Sequence, residues 1–449
     1  MSLKNMPNPA SFQLPDRSVR PAVILQDLGK WSWPEPVGPE GAANLPGSPT
    51  LLREGREPLL RIDLQWSHGL WQEPDFLAAR VVARMLSEGT ALRSASEWTG
   101  AMDYWGAQYQ FSVEALRTVA TLYVLDKHLS SVWPLWLEAV VQPALNEDSL
   151  QRVVQSKIQH WKIESEKVGF LAARRLRTMV YPAGHPESLL STPEDYEALE
   201  PRALVRTHRA LWMDRQPGIS LCGPAAAEAW EFIATEGILD AGGAWQGCPP
   251  AARTTQWSGP APAAGMVRIP KAGSLQVALR AALTMPPKTH PDYHGLKILV
   301  SVLGGYFGSR LMQNLREDKG MTYGVGASLR SFGDHGVMTV ASEVMAGRED
   351  DALEQVRFEM ERLRSERVTE AELNRVKSYL HGQWMAGLDG PFALMDRYWD
   401  LRHDGLGQDY LQDYLRALEG ISPSALLDLA VRYLDPDAMV VVLAGSGPA

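Results

Sequence analysis

The sequence repeats itself. Residues 145–161, LNEDSLQRVVQSKIQHW, and 368–384, VTEAELNRVKSYLHGQW, align without a gap and share Glu147/Glu370, Leu150/Leu373, Arg152/Arg375, Val153/Val376 and Trp161/Trp384 at a spacing of 223 residues. A second pair, 200–223 and 422–445, stands at 222 residues, and in each copy a helical pattern passes through a turn with Asp or Pro into an apolar strand ending in Gly. A looser match relates DFLAARVVARML (75–86) to DYHGLKILVSVL (292–303). Two agreeing offsets mean that one layout is written twice, and a repeat fixes the architecture before any local reading is made.

With 449 residues the chain exceeds what one core accommodates. Strand patterns such as EPLLRIDLQWS and GVMTVASEV mix with amphipathic helices, so the expected fold is α+β: two homologous halves, each a mainly antiparallel sheet covered by helices, closing around a cleft. Residues 1–50 read as an N-terminal extension, 51–240 as the first half, 241–265 as a linker rich in Ala, Gly and Pro, and 266–449 as the second half.

Composition removes several function classes. At 45% hydrophobic and 22% charged residues the chain is of the soluble globular kind, and a net charge of -9 offers no basic footprint for nucleic acid. No apolar run is long enough to span a membrane, and the start lacks the apolar core of a secretory signal. A cytoplasmic chain is expected, or a periplasmic one if a signal peptide has been removed. Cys222 and Cys248 are too few for a disulfide framework or a thiolate zinc site.

The usual catalytic constellations are missing. The ten histidines include no HExxH or HxxEH. HPDYH (290–294) has the right separation, but Pro291 would take the first helical position with His290 at the cap, so the two rings would not share a face. LGGYFG (303–308) is flanked by helical patterns and reads as a helix-helix corner rather than a phosphate cradle.

One helix is unusual. Between Asp75 and Ser87, at about 100° per residue, Phe76, Leu77, Val81, Val82, Met85 and Leu86 with the alanines cover most of the circumference. The narrow polar arc that remains carries Arg80, Arg84 and Ser87, with Ala83 at its edge.

LGGYFGSRLMQNLREDKGMTYGVGA (303–327) gives that arc a context. It resembles a region of the insulinase/pitrilysin metallopeptidase family, the inverted zincins, in which a Gly-rich turn leads to a helix, a charged turn and a strand beginning with Tyr. Arg316 and Tyr323 have the spacing of that family's arginine and tyrosine pair. The resemblance extends from about residue 55 to the end. Active members carry HxxEH followed by MLFKGT where this chain reads RVVARMLSEGT. Residue by residue, the resemblance puts Arg80 and Arg84 in the places of the two histidine ligands, Ala83 in that of the glutamate that activates water, and Lys157 in that of the distal glutamate ligand.

A zinc ion about 5 Å from one such cation would be repelled by roughly 7 kcal/mol at an effective dielectric near 20, and Arg and Lys in their charged forms offer no lone pair. No metal cofactor is therefore expected in this chain. The resemblance implies a non-catalytic subunit of a heterodimeric zinc endopeptidase. Its partner would be a zinc-bearing homologous subunit, to whose active site Arg316 and Tyr323 would be supplied in trans, binding the substrate carbonyl and stabilising the oxyanion. Each donor of that kind is worth about 3 kcal/mol of barrier. The substrate would be an unfolded peptide, and the strand within 103–114 corresponds to the one that pairs with extended peptide in active members. A homodimer could fill the partner's place. The alternative is a catalytically inert scaffold or peptide-binding protein of the same fold. Acidic residues of the same chain are expected to neutralise Arg80, Arg84 and Lys157, because buried like charges demand partners.

Overall fold

Strand β3 (Leu59–Trp66) alternates apolar and polar residues, yet both of its faces are buried. Leu60, Ile62, Leu64 and Trp66 enter an apolar core, while Arg61, Asp63 and Gln65 take the opposite face, as the two-residue period of a strand requires. Strand β8 (Gln276–Met285) is built the same way, with Val277, Leu279, Ala281 and Leu283 on one face and Ala278, Arg280 and Ala282 on the other.

The computed structural model describes residues 35–36, 50–235 and 263–445; most of the extension 1–50 and of the linker 241–265 lies outside them. The first sheet runs β1 (Glu35–Pro36), β2 (Thr50–Leu52), β6 (Gly218–Cys222), β3, β5 (Thr118–Leu125), β4 (Gln108–Val113). The second runs β7 (Gly265–Pro270), β11 (Val440–Gly445), β8, β10 (His335–Met345), β9 (Thr322–Phe332). Without β1 the two orders are the same, each with a single parallel pair, β2 beside β6 and β7 beside β11, and antiparallel pairing elsewhere. The expected α+β fold of two homologous halves is what forms.

The covering of the sheets crosses between the halves. Helix Val168–Val180 precedes β6 in the chain but lies on the second sheet, where Ala172, Leu176, Val180 and the following Tyr181 pack on Ala278, Ala282, Val337, Val440, Val442 and Ala444. Its repeat counterpart, helix Pro391–Asp404, lies on the first sheet. There Arg61 Nη2 donates to Asp396 at 2.6 Å and Nη1 to the Phe392 carbonyl at 3.3 Å. Trp399 Nε1 donates to Ser220 Oγ at 3.0 Å, and His403 Nε2 lies 3.0 Å from Gln65 Oε1. This helix makes it possible to bury the polar face of β3. Asp63, fully enclosed, accepts from Arg61 Nε at 3.1 Å and Thr121 Oγ1 at 2.7 Å. Burial pushes its carboxyl above the usual range against the pull of Arg61.

The halves also meet in an aromatic cluster. His185 stacks on Tyr181 at 4.6 Å between ring centroids and meets Trp71 edge-on at 5.1 Å and His335 at 5.4 Å. Its Nδ1 accepts the Glu187 backbone N–H at 3.0 Å. Burial, then the neighbouring His335, push the His185 imidazole down to about 4, against the opposing pull of Glu187 and Asp334. The folded state thus binds this proton more weakly than the unfolded chain. The contribution is intact above about pH 6.5 and is lost as pH falls from there toward 4. Between pH 7 and pH 5 wild-type protein is expected to lose on the order of 1 kcal/mol from this group, and His185→Gln, which keeps an acceptor, is expected to flatten that slope in urea unfolding.

Candidate functional site

Helix Phe76–Met85 starts where Asp75 caps it, the carboxylate accepting the Ala78 N–H at 2.9 Å. Its apolar stripe is buried as the periodicity predicts: Leu77, Ala78, Ala79, Val81, Val82, Ala83 and Met85 are all enclosed. Arg80 is half-buried and Arg84 exposed, so the narrow polar arc is real. Lys157 comes from the neighbouring helix Glu147–Ser165, whose start Asn146 caps by accepting the Ser149 N–H at 3.0 Å. Burial of Leu150, Val153, Val154 and Ile158 on that helix leaves Lys157 half-buried beside the first helix.

Arg80, Arg84 and Lys157 are close enough to feel one another's charge. Burial first, then Arg84 and Arg80, lower the Lys157 pKa; burial first, then Arg177, lower that of Arg80. The expectation that acids of the chain neutralise all three is met only at Arg84, which bridges Glu88 one turn on at 3.1 Å. Among the described residues neither Arg80 nor Lys157 makes an ion pair or a side-chain hydrogen bond. The Arg80 guanidinium lies over the Phe76 ring, 5.4 Å from its centroid. The donor set does not fit zinc: two guanidiniums, an ammonium and an alanine methyl offer no lone pair. Among the described residues no group of three or more His, Cys, Asp or Glu stands ready for a metal either.

HPDYH resolves as a helix start. Helix Tyr293–Val300 begins two residues after Pro291, later than expected, because the chain first turns with Asp292 N–H donating to His290 Nδ1 at 3.1 Å. His294 instead packs on Tyr410 at 4.5 Å.

Arg316 and Tyr323 flank a tight turn. Helical segment Met312–Asp318 is wound wide, and it ends where Gly320, at φ 57°, turns back so that its N–H reaches the Arg316 carbonyl at 3.2 Å. A side chain at that φ would be strained, which accounts for the Gly of EDKG. The segment is anchored from below. Asn314 Nδ2 donates to the buried Glu359 at 2.6 Å, and Arg310 forks onto Glu372 at 2.9 and 3.0 Å. The strand after the turn is pinned by Thr322 Oγ1 donating to the Glu343 carbonyl at 2.6 Å.

Onto this rigid base the pair projects outward. Tyr323 is 91% exposed. Arg316 lies over the exposed Phe307 ring at 4.7 Å, its nearest carboxylate being Glu317 at 3.8 Å. Both line one open pocket of about 440 Å³, with Gln276, Thr322 and Met345. Every residue of its lining belongs to the second half, so the pair is not brought together with Arg80, Arg84 and Lys157 in one pocket. The motif reading missed the apolar collar. Met345, at the end of β10, lines the pocket exposed, and Phe307, exposed in the Gly-rich corner 303–308, lies beside Arg316. It also missed Arg177, on helix Val168–Val180, whose charge acts on Arg80. Among the described residues, strand β4 is the edge of the first sheet, paired with β5 alone.

Comparison with known proteins agrees with this geometry. Residues 249–380 match the family described as the peptidase M16 inactive domain. An uncharacterised zinc protease of Mycobacterium leprae is 25% identical over 329 residues, covering 71% of this chain and 72% of that protein. Another, YmxG of Bacillus subtilis, is 32% identical over 108 residues, 24% of this chain and 26% of that protein. Among solved structures, a peptidase M16 inactive domain from Pseudomonas fluorescens superposes with a TM-score of 0.79 at 23% identity over 90% of this chain and 97% of that one. A protease from Helicobacter pylori gives 0.77 at 15% identity, covering 92% of this chain and 100% of that one. The resemblance to the insulinase-type (M16) peptidases is therefore borne out, and the inactive-domain match supports a non-catalytic member of that kind.

If positions 80, 83, 84 and 157 are a substituted ligand set, the combined variant Arg80→His, Ala83→Glu, Arg84→His, Lys157→Glu is expected to retain zinc after dialysis, read by elemental analysis. A folded variant that retains none would show that these positions never framed a metal.

Proposed function

We propose that this chain is the non-catalytic subunit of a two-chain zinc endopeptidase, lending Arg316 and Tyr323 to the active site of a zinc-bearing homologous subunit. One observation carries the reading. The two donors share an open pocket at the edge of the second sheet, pinned from behind and ringed by exposed apolar side chains. An exposed tyrosine and arginine inside an apolar collar fit a face that another subunit covers, since such patches on a soluble protein mark interaction sites.

The chemistry follows from the donors. Among the described residues the Arg316 guanidinium meets only the exposed Glu317 carboxylate, at 3.8 Å from its Nε, which leaves N–H groups for a peptide carbonyl, and the phenol supplies a second donor as that oxygen gains charge. Neither group needs a metal of its own. Metal and general base would come from the partner, and the substrate would be an unfolded peptide drawn into the space between subunits.

The test mixes purified chain with a zinc-bearing homologue. Peptidase activity is expected in the mixture and not in this chain alone. Arg316→Ala or Tyr323→Phe should each lower kcat roughly 100-fold without changing zinc content or assembly. A stable complex whose activity ignores both substitutions would instead identify an inert scaffold.

A further inference from the structure

The contact between the halves leaves a slot that the proposed subunit role does not use. Between helix Pro391–Asp404 and strand β4, the outer face of the first sheet holds a cavity of about 170 Å³. Strand register builds its floor. Asp63, Thr121 and Gln110 form one row across β3, β5 and β4, and Gln65, Val119 and Ser112 form the next. Asp396 and Trp399 of the helix make one wall. The charges of the lining balance, Arg61 and Arg117 against Glu114 and Asp396, and each guanidinium is already engaged. Arg61 bonds Asp63 and Asp396; Arg117 bonds Glu114 at 2.6 Å and Asp400 at 3.2 Å. The neutral groups are not engaged. Gln110, Ser112 and Tyr123 line the slot, and among the described residues their amide and hydroxyls make no side-chain hydrogen bond. Burial pushes the Tyr123 phenol above its usual range, so its proton stays available to donate.

This division selects the ligand. A charged molecule must break an ion pair to be held, whereas a neutral one that both donates and accepts uses groups the protein leaves over. Size narrows the class further. Sites for drug-sized ligands begin at roughly 300 Å³, so a slot of this volume takes a single small ring and not an extended chain. Trp399 has its Nε1 bonded to Ser220 Oγ at 3.0 Å, which leaves the slot its carbon surface. We infer that the slot binds one hexose-sized polyhydroxylated ligand, its hydroxyls on Gln110, Ser112 and Tyr123 and its C–H face against Trp399. Each sugar hydroxyl donates and accepts, as the amide and the two protein hydroxyls do, and an indole is a suitable wall for the apolar side of such a ring. Gln110 and Ser112 stand on the first sheet and Trp399 on a helix from the second half, so a bound ring spans the two. The inference does not rest on the proposed subunit role.

Saturation-transfer NMR on the full chain tests it, with D-glucose, D-galactose and D-mannose as probes, glycylglycine as a zwitterion and inorganic phosphate as an anion. At least one hexose is expected to bind, and neither charged probe. Gln110→Leu/Ser112→Ala should raise the Kd of that hexose about tenfold. The unfolding midpoint without ligand should stay in place, because neither side chain is bonded within the protein. Tyr123→Phe, which keeps the ring and removes one hydroxyl, should raise the Kd roughly fivefold and gives a second reading if the double variant does not fold. Silence from all three hexoses would overturn the inference. So would hexose binding that ignores these substitutions, or binding of glycylglycine or phosphate that they abolish.

Discussion

Each sheet of this protein is covered by a helix from the other half, and the rest of the architecture depends on that exchange. A sheet with two buried faces needs two layers over it. The inner face of β8 is served by its own half, but its outer face, with Ala278 and Ala282, is closed by Leu176 and its neighbours from helix Val168–Val180. The reciprocal contact is polar, built on Arg61, Asp63, Asp396 and Trp399. The two contacts differ in kind because the small residues of β8 admit a close apolar helix, while the charged face of β3 must be hydrogen-bonded to be buried at all. Separating the halves would strip both, leaving Asp63 and Arg61 without Asp396. The halves are homologous, but neither is complete.

Packing likewise fixes the helix that carries Arg80 and Arg84. Helix Phe76–Met85 buries seven of its ten residues, so its position is set by packing and not by a metal. Substitutions confined to the polar arc leave that packing intact. Ala83 fits the pattern: at 7% exposure its methyl fills the edge of the stripe without opening a cavity. The same separation of frame from chemistry holds at Arg316 and Tyr323, where buried bonds through Asn314, Arg310 and Thr322 fix the turn while the side chains stay out in solvent.

Much of this was legible in the sequence. The offsets of 222 and 223 residues announced two equivalent sheets, and they also contained the exchange, since Val168 and Pro391, which open the two exchanged helices, stand 223 apart. What a repeat cannot reveal is which sheet a helix lies on, because both choices place it after the same neighbours in sequence. The polar face of β3 misleads for a related reason. Alternation tells which residues share a face and nothing about whether water or a helix meets it. Ion pairs expected for Arg80 and Lys157 failed to form because sequence spacing shows only local partners, such as Glu88 for Arg84; the long-range acid that acts on Arg80, Glu187, is bonded to Arg177.

The electrostatics at that helix are therefore changed in degree as well as in kind. In the pattern this chain resembles, two carboxylates offset the two charges of the metal, and the site is close to neutral. Here Arg84 pairs with Glu88, and Glu187, bonded to Arg177, also acts on Arg80. An excess of positive charge at half-buried positions is poorly screened by salt. Such like charges raise one another's free energy and favour a nearby acid. The first half thus keeps a positively charged helix face, while the second half holds Arg316 and Tyr323 on a turn pinned from behind.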